Sequence, residues 1–443
     1  MEFLTGLTPE ETLELEELLD ASRIGTEVRV RGAVHTIRDM GELSFVVLRK
    51  RDGLLQCIFE EGTTNYAVKD LREEMAVEIS GVLEEDARAP HGIEIRAREV
   101  KVFGRPYEAP PLPIGKWKLN TSLEAKLNYR STALRNVRER AKFRIQEGIV
   151  RGFRDFLYSQ HFTEIHTPKI GSKGAEGGSN VFKLDYFHRP AVLAQSPQFY
   201  KQMLVGVFDR VFEVGPVFRA EKHNTKRHLN EYTSVDFEIG YIENFEDIMA
   251  MEQEMLRYTF ARLQETCGAE LSLLKAEVPV ITEIPRIRFS EAKELVSRVY
   301  KRAFSEKLDF EPEEEKLLCE YVKKTTGSDF VFVTHYPSAK RPFYALDSRE
   351  NPAVTESFDL LFRGLEVTTG GQRIHNYREQ VEKIESRGMH VEAFESYLMM
   401  HRCGMPPHGG LGLGLERFTA RLLGFENVRN ASLFPRDIHR LIP

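Results

Sequence analysis

The sequence predicts a multidomain α+β protein: a small five-stranded barrel, then a larger unit in which an antiparallel sheet is flanked by helices. Three observations predict it. Between Thr26 and Phe103 the apolar residues recur with period two in five separate runs, and a proline-rich stretch follows. The remainder interleaves long amphipathic helices with short alternating strands and shows no regular strand-helix-strand period, which favours antiparallel pairing over a parallel sheet.

Composition narrows the function. A chain of 443 residues, 41% hydrophobic and 29% charged, has room for two or more domains with cores of their own. No run approaches the roughly 18 apolar residues of a membrane span, and acids stand near the N-terminus where an export signal has bases, so a cytoplasmic protein with no membrane partner is expected. Cys57, Cys267, Cys319 and Cys403 are scattered, with neither a C-x-x-C pair nor zinc-ligand spacing, which predicts reduced thiols. Net charge is −6, with 13 Lys and Arg against 22 Asp and Glu up to Phe103, a balance of −9 that leaves +3 for the rest. Non-specific coating of nucleic acid is excluded, and any such contact must be local.

The elements follow in order. Thr8, Pro9 and Glu11 form a capping-box-like start to a short acidic helix ending before Gly25. "TEVRVRGAVHTI", "ELSFVVLRK", "GLLQCIF", "MAVEISGVL" and "GIEIRAREVKVF" read as strands, and "YAVKDLREE" as a helix between the third and fourth. Five short strands with a helix in that place describe a Greek-key barrel of OB type, a fold that commonly binds single-stranded nucleic acid. The expected division is a helix and barrel over 1–103, a stiff proline-rich linker over 104–125, and a second domain over 126–443. In that domain Arg138 to Gln160 and Phe245 to Thr266 predict long helices, and "VFEVGPVF", "TSVDFEIGYI" and "SFDLLFRGLEVTT" predict strands.

Four stretches carry candidate chemistry. In "TSVDFEIGYI" Asp236 and Glu238 share one strand face, and the preceding "FRAEKHNTKRHLNEY" brings Arg219, Lys222, Lys226 and Arg227 over it. Guanidinium groups clamp phosphate oxygens, yet this stretch alone reads equally well as a solvated hairpin with surface salt bridges. In "AQSPQFYKQML", Ser196 can cap a helix with Pro197 at its first position, which sets Gln198 and Lys201 on one face. They form a grip for a small acid or an exposed helix start. In "ESFDLLFRGLEVTTGGQRIH", Asp359 and Glu366 could serve as hard oxygen ligands, and the turn returns Arg373 beside them. In "PPHGGLGLGLERFTARLLG", glycines 409, 410, 412 and 414, with no strand ahead of them, run into a helix near Leu415 with Arg417 in its first turn; their spacing is not that of a dinucleotide fingerprint.

Together these pieces resemble the three ordered signature motifs of class II aminoacyl-tRNA synthetases. "HFTEIHTPKI" with Pro168 resembles the first, "FRAE" through "TSVDFE" the second, and "GLGLGLERF" the third. The resemblance spans nearly the whole chain. "GAEGG", "QSPQFYKQ", "RHLNEY", "SVDFE", "GGQRIH" and "PHGG" are similar to segments of the aspartyl enzymes of archaeal type, in which the barrel reads the anticodon.

The resemblance implies ATP-dependent attachment of L-aspartate to tRNA through an aspartyl-adenylate. It implies that Arg219 holds the ATP α-phosphate, that Glu221 meets the adenine amino group, and that Tyr232 and Arg417 sandwich the ring. Asp359 and Glu366 would bind Mg²⁺. Lys201 and Arg373 would pair with the substrate side-chain carboxylate, while Glu176, Gln198 and Asp236 face its ammonium group or order its surroundings. An unpaired buried cation pair would suit aspartate and disfavour asparagine. His223 and Lys226 would guide the tRNA acceptor end. In the barrel Phe45 would stack on the central anticodon base, Gln56 would read its edge and Glu94 would lie beside a neighbouring base, although Phe45 also fits a plain core position. His35 and Pro90 resemble a pair that accompanies tolerance of the asparagine anticodon, so charging of both tRNA(Asp) and tRNA(Asn) is expected. A discriminating aspartyl enzyme or an asparaginyl enzyme is the alternative. The motif-one helix and Pro168 imply a homodimer.

Overall fold

The computed structural model describes residues 12–172 and 180–443. The capping box expected at Thr8 to Glu11 lies outside the described residues. The chain divides into two compact units, Met1–Arg140 and Ala141–Pro443.

In the first unit a short helix, Leu15–Leu18, precedes five strands: β1 (Glu27–Asp39), β2 (Leu43–Arg49), β3 (Leu54–Glu60), β4 (Ala76–Glu85) and β5 (Ile93–Gly104). They close into a barrel in the order β1-β2-β3-β5-β4. Alternation drives the closure, because Val28, Val30, Val46, Leu48, Leu55 and Ile95 point inward and are buried. Gly81 marks a register shift between β4 and β5, where a Cβ would lie 2.2 Å from the Arg96 carbonyl oxygen. The helix expected at "YAVKDLREE" is one 3₁₀ turn, Val68–Asp70. Its ends are tied to the barrel, Asn65 N–H to Arg98 O and Glu74 N–H to Val34 O, so the chain between them stays extended where a full helix would shorten it.

The second unit is built on an eight-stranded sheet. Its strands are β6 (Thr163–Glu164), β7 (Arg210–Phe218), β8 (Glu231–Gly240), β9 (Arg286–Arg288), β10 (Phe330–Thr334), β11 (Ser357–Phe362), β12 (Leu365–Gln372) and β13 (His408–Gly414). The order is β9-β10-β11-β12-β13-β8-β7-β6. The six central strands are antiparallel, but the short edge strands β6 and β9 run parallel to their neighbours, so the sheet is mixed. Helices α1 (Val137–Ser159), α2 (Gln198–Phe208), α3 (Glu246–Thr266), α4 (Pro312–Thr326) and α5 (Leu415–Leu422) accompany it. Phe153 of α1, Phe260 of α3 and Phe418 of α5 join Val235 and Phe237 of β8 in one core. Period two therefore turns Asp236 and Glu238 to the opposite face. The glycine run, expected without a strand ahead of it, is itself strand β13 and passes directly into α5. Pro197 is the N-cap of α2, one place earlier than expected, and the Ser196 hydroxyl accepts the Gln198 N–H at 3.3 Å.

Candidate active site

On the face of the sheet away from that core lies a cavity of about 620 Å³. Its floor is polar because the β8 alternation leaves no other choice. Lys201 projects from α2 and is 1% exposed. Its Nζ donates to Asp236 Oδ1 at 3.0 Å and to the Leu411 carbonyl at 2.8 Å, and lies 3.3 Å from Glu238 Oε2. Arg373, at the end of β12, donates from Nε to Glu238 Oε1 at 2.8 Å and from Nη2 to Gly410 O at 2.9 Å. Burial works to raise the Glu238 carboxyl, but Arg373 and Lys201 hold it below its ordinary value.

The expected unpaired cation pair is therefore absent. Lys201 and Arg373 both carry carboxylate partners, because the strand that forms the floor supplies two acids on one face. The glycines of β13 make this possible. A Cβ on Gly410 would stand 2.1 Å from Phe237 O and 2.2 Å from Glu238 Oε2.

The wall of the cavity gathers Arg219, Glu221, Tyr232, Glu366 and Arg417. Arg219 and Tyr232 lie near each other across the loop joining β7 to β8, the guanidinium carbon 5.9 Å from the ring centroid. Asn230 pins that loop, donating from Nδ2 to Arg219 O at 2.7 Å and Glu221 O at 3.1 Å. Arg417 is held by the Arg227 carbonyl at 3.2 Å and by Glu366, whose carbonyl and Oε2 each lie 3.3 Å from Nη1.

Asp359 and Glu366 come from the paired strands β11 and β12 and both border the cavity. Burial pushes the Asp359 carboxyl up to about 6, with Arg341 opposing and Glu366 adding to the rise. Burial also works to raise Glu366, but Arg417 and Arg219 hold it below its ordinary value. Asp359 Oδ1 accepts from Arg341 Nη2 at 2.8 Å, and Glu366 Oε1 from Thr369 at 3.1 Å. Two mutually repelling carboxylates on a cavity wall fit a hard divalent cation that takes one or two protein ligands and completes its shell from phosphates and water. Among the described residues no cluster of three or more His, Cys, Asp or Glu side chains forms a self-sufficient metal cage.

Gln198 and Asp236 line the same cavity, whereas Lys222, His223 and Lys226 are exposed and do not. Lys226 pairs with Glu426 at 3.1 Å. Glu176 lies outside the described residues. Of the four cations expected over the acidic face, Arg219 and Arg227 line the cavity; sequence reasoning passed over His228, Gln195 and Arg341, which line it as well. His228 stands in "FRAEKHNTKRHLNEY", so its stretch was in view although the residue was not; Arg341, in "AKRPFY", carried no local signal.

In the barrel, Val46 and Leu48 face the core while Phe45 faces outward and is half-buried, which sets aside the plain core reading. Gln56 on β3 donates to Glu94 Oε2 on β5 at 2.8 Å, across a parallel pairing, and Phe45 pairs with Ile58 two residues along from Gln56. His35 is buried at a bulge in β1, its Nδ1 3.4 Å from Arg49 Nη1, while Arg49 forks onto Glu74. Burial first, then Arg49, pulls its imidazole down to about 4, although Glu74 opposes. Pro90 lies in the turn between β4 and β5.

Comparison with known proteins agrees with this architecture. Residues 122–438 match the family described as tRNA synthetases class II (D, K and N), and residues 28–103 match the OB-fold nucleic acid binding domain. The chain is 47% identical to the aspartate–tRNA(Asp/Asn) ligase of Deinococcus radiodurans, covering 95% of this chain and 96% of that one. It is 45% identical to the enzyme of the same name from Thermus thermophilus, covering 95% and 98%. The crystal structure of asparaginyl-tRNA synthetase from Pyrococcus horikoshii complexed with asparaginyl-adenylate superposes with a TM-score of 0.89 at 28% identity, over 98% of this chain and 100% of that one. With a barrel of anticodon-binding type ahead of a mixed sheet that carries all three motifs, the chain belongs to the class II tRNA synthetases of the D, K and N group.

Proposed function

We propose that the protein joins L-aspartate to tRNA(Asp), and also to tRNA(Asn), through an aspartyl-adenylate. The observation that carries the reading is the meeting, in one cavity, of a Lys201–Asp236–Arg373 floor, braced from beneath by the buried Glu238, with a wall of arginines and two carboxylates. The names of the two bacterial relatives support the substrate. Lys201 and Arg373 would take the side-chain carboxylate of aspartate, and Asp236 with Gln198 the ammonium side; Glu176 would help to order it. Tyr232 and Arg417 would enclose adenine, with Glu221 at its amino group.

Positioning does most of the chemistry, since no protein nucleophile is required. The substrate α-carboxylate, held in line, attacks the α-phosphorus of ATP and pyrophosphate leaves, with Arg219 countering the charge that builds on the phosphoryl oxygens. Asp359 and Glu366 would hold Mg²⁺, which supplies further neutralisation of phosphate charge when bound. A terminal ribose hydroxyl of tRNA, the 3′-hydroxyl, then attacks the adenylate carbonyl and takes the aspartyl group, and the acyl–phosphate bond breaks to release AMP. His223 and Lys226, exposed beside the cavity loop, would guide the acceptor end, and the barrel over 1–103 would read the anticodon through Phe45, Gln56 and Glu94, with His35 and Pro90 setting tolerance of its last base. Residues 104–125 would serve as hinge and 126–443 as the catalytic domain. The protein would act in the cytoplasm as a homodimer joined about α1 and Pro168; no described helix is long and apolar enough to cross a membrane.

One observation favours a second reading. The cations of the floor already carry partners, so a neutral asparagine side chain would also find a charge-balanced site. Charging of purified, separate tRNA(Asp) and tRNA(Asn) with labelled aspartate, and with labelled asparagine as control, decides. Aspartate on both tRNAs is expected. Aspartate on tRNA(Asp) alone would make the enzyme discriminating, and asparagine on tRNA(Asn) would overturn the substrate.

A further inference from the structure

Among the described residues helix α4 gives no side chain to the cavity wall, yet one of its residues reaches the groups that shape it. Glu315 is buried, and its Oε2 receives two donors: the Arg227 guanidinium in a short ion pair, and the Glu366 backbone N–H at 3.0 Å. Both partners touch Arg417. The Arg227 carbonyl accepts from Arg417 Nε at 3.2 Å, and Glu366 accepts from Arg417 Nη1 through its carbonyl and Oε2, each at 3.3 Å. A single carboxylate oxygen thus fixes both supports of Arg417.

Removing a carboxylate from water is costly, and an apolar residue of similar size would fill the space at no such cost if packing were its sole role. We infer that Glu315 is a positioning residue for nucleotide binding, holding Arg227 and Glu366 so that the Arg417 guanidinium stands correctly over the base. The inference rests on the ATP site proposed above. It ties α4, outside the three motifs, to the loop between β7 and β8.

The test is aspartate-dependent exchange of pyrophosphate into ATP, with KM measured separately for ATP and aspartate, in wild type, Glu315→Gln, Arg227→Gln and the double variant. Each single variant is expected to raise KM for ATP about tenfold with KM for aspartate held within about twofold, and the double to be no worse than the weaker single. Multiplying effects in the double variant, an unchanged KM for ATP in Glu315→Gln, or an equal rise in KM for aspartate would each overturn the inference. A merely structural role would lower the melting temperature without separating the two constants. If Glu315→Gln does not fold, Arg227→Gln carries the test: a raised KM for ATP with normal KM for aspartate supports the inference, and a normal KM for ATP overturns it. Wild type with no exchange at all would instead remove the ATP reading beneath it.

Discussion

Lys201 and Arg373 close on the same carboxylate: Lys201 Nζ lies 3.3 Å from Glu238 Oε2, and Arg373 Nε lies 2.8 Å from Oε1. One side chain arrives from α2 and the other from the end of β12, so Glu238 fixes their separation before any substrate enters. Lys201→Ala removes one cation from this buried array and leaves Asp236 and Glu238 with Arg373 alone to balance them. Breaking such a pair costs about 3–5 kcal/mol, and the substrate carboxylate loses a partner as well. Aspartate-dependent pyrophosphate exchange is expected to disappear in folded Lys201→Ala protein; retention of exchange would sink the assignment of this floor to aspartate.

Gly410 lies beneath the same carboxylate. A methyl group there would stand 2.2 Å from Glu238 Oε2 and 2.1 Å from the Phe237 carbonyl, and the backbone oxygen cannot swing away as a flexible side chain could. Gly410→Ala should therefore displace Glu238 and the Arg373 bonded to it, at about 1–3 kcal/mol of stability. A rise in KM for aspartate well beyond any rise in KM for ATP is the expected kinetic signature. Equal changes in both constants would mean that the strand as a whole has moved.

Period two in "TSVDFEIGYI" was enough to place Asp236 and Glu238 on one face, because strand alternation is a local property, whereas in the barrel the sequence left Phe45 open to a core position that its half-buried, outward placement removes. What lay beyond the sequence was pairing across long separations. Nothing in "AKRPFY" shows that Arg341 meets Asp359, and nothing in the acidic start of α4 distinguishes Glu315, which contacts Arg227, from Glu313 and Glu314 beside it. The glycine run misled for a related reason: glycines are poor strand formers in isolation, and β13 exists because β8 and β12 pair with it on both sides. "YAVKDLREE" failed in the other direction, its helical pattern overruled by backbone hydrogen bonds to the barrel at both ends.

The outward-facing Phe45 separates recognition from chemistry. Its neighbours Val46 and Leu48 fill the barrel, so Phe45→Ala should leave the melting temperature nearly unchanged. If the ring stacks on an anticodon base, losing it costs about 1–3 kcal/mol in tRNA binding. Pyrophosphate exchange without tRNA should be normal while KM for tRNA in charging rises about 10- to 100-fold. A normal KM for tRNA would return Phe45 to the role of an ordinary half-buried strand residue.

Glu252 of α3 is buried on the helical side of the sheet, and neither carboxyl oxygen has a hydrogen-bond partner among the described residues. Burial pushes its carboxyl up to about 8 from an ordinary 4.5, and Asp359 adds to the rise. The sign follows from which state binds the proton. Above pH 4.5 the unfolded chain has released it while the native protein still holds it, so the contribution is fully present below that value and is lost as pH rises through about 8. At pH 7 the native state has forgone roughly 3–4 kcal/mol relative to acid conditions, from the 2.5 pH units above 4.5 at about 1.4 kcal/mol each. Glu252→Gln keeps the shape and cannot ionise. Calorimetric melting of both proteins should therefore give similar temperatures at pH 4.5 and a variant that melts progressively higher than wild type between pH 6 and 8. A gap that does not change with pH would show that Glu252 is charged and paired in the native protein.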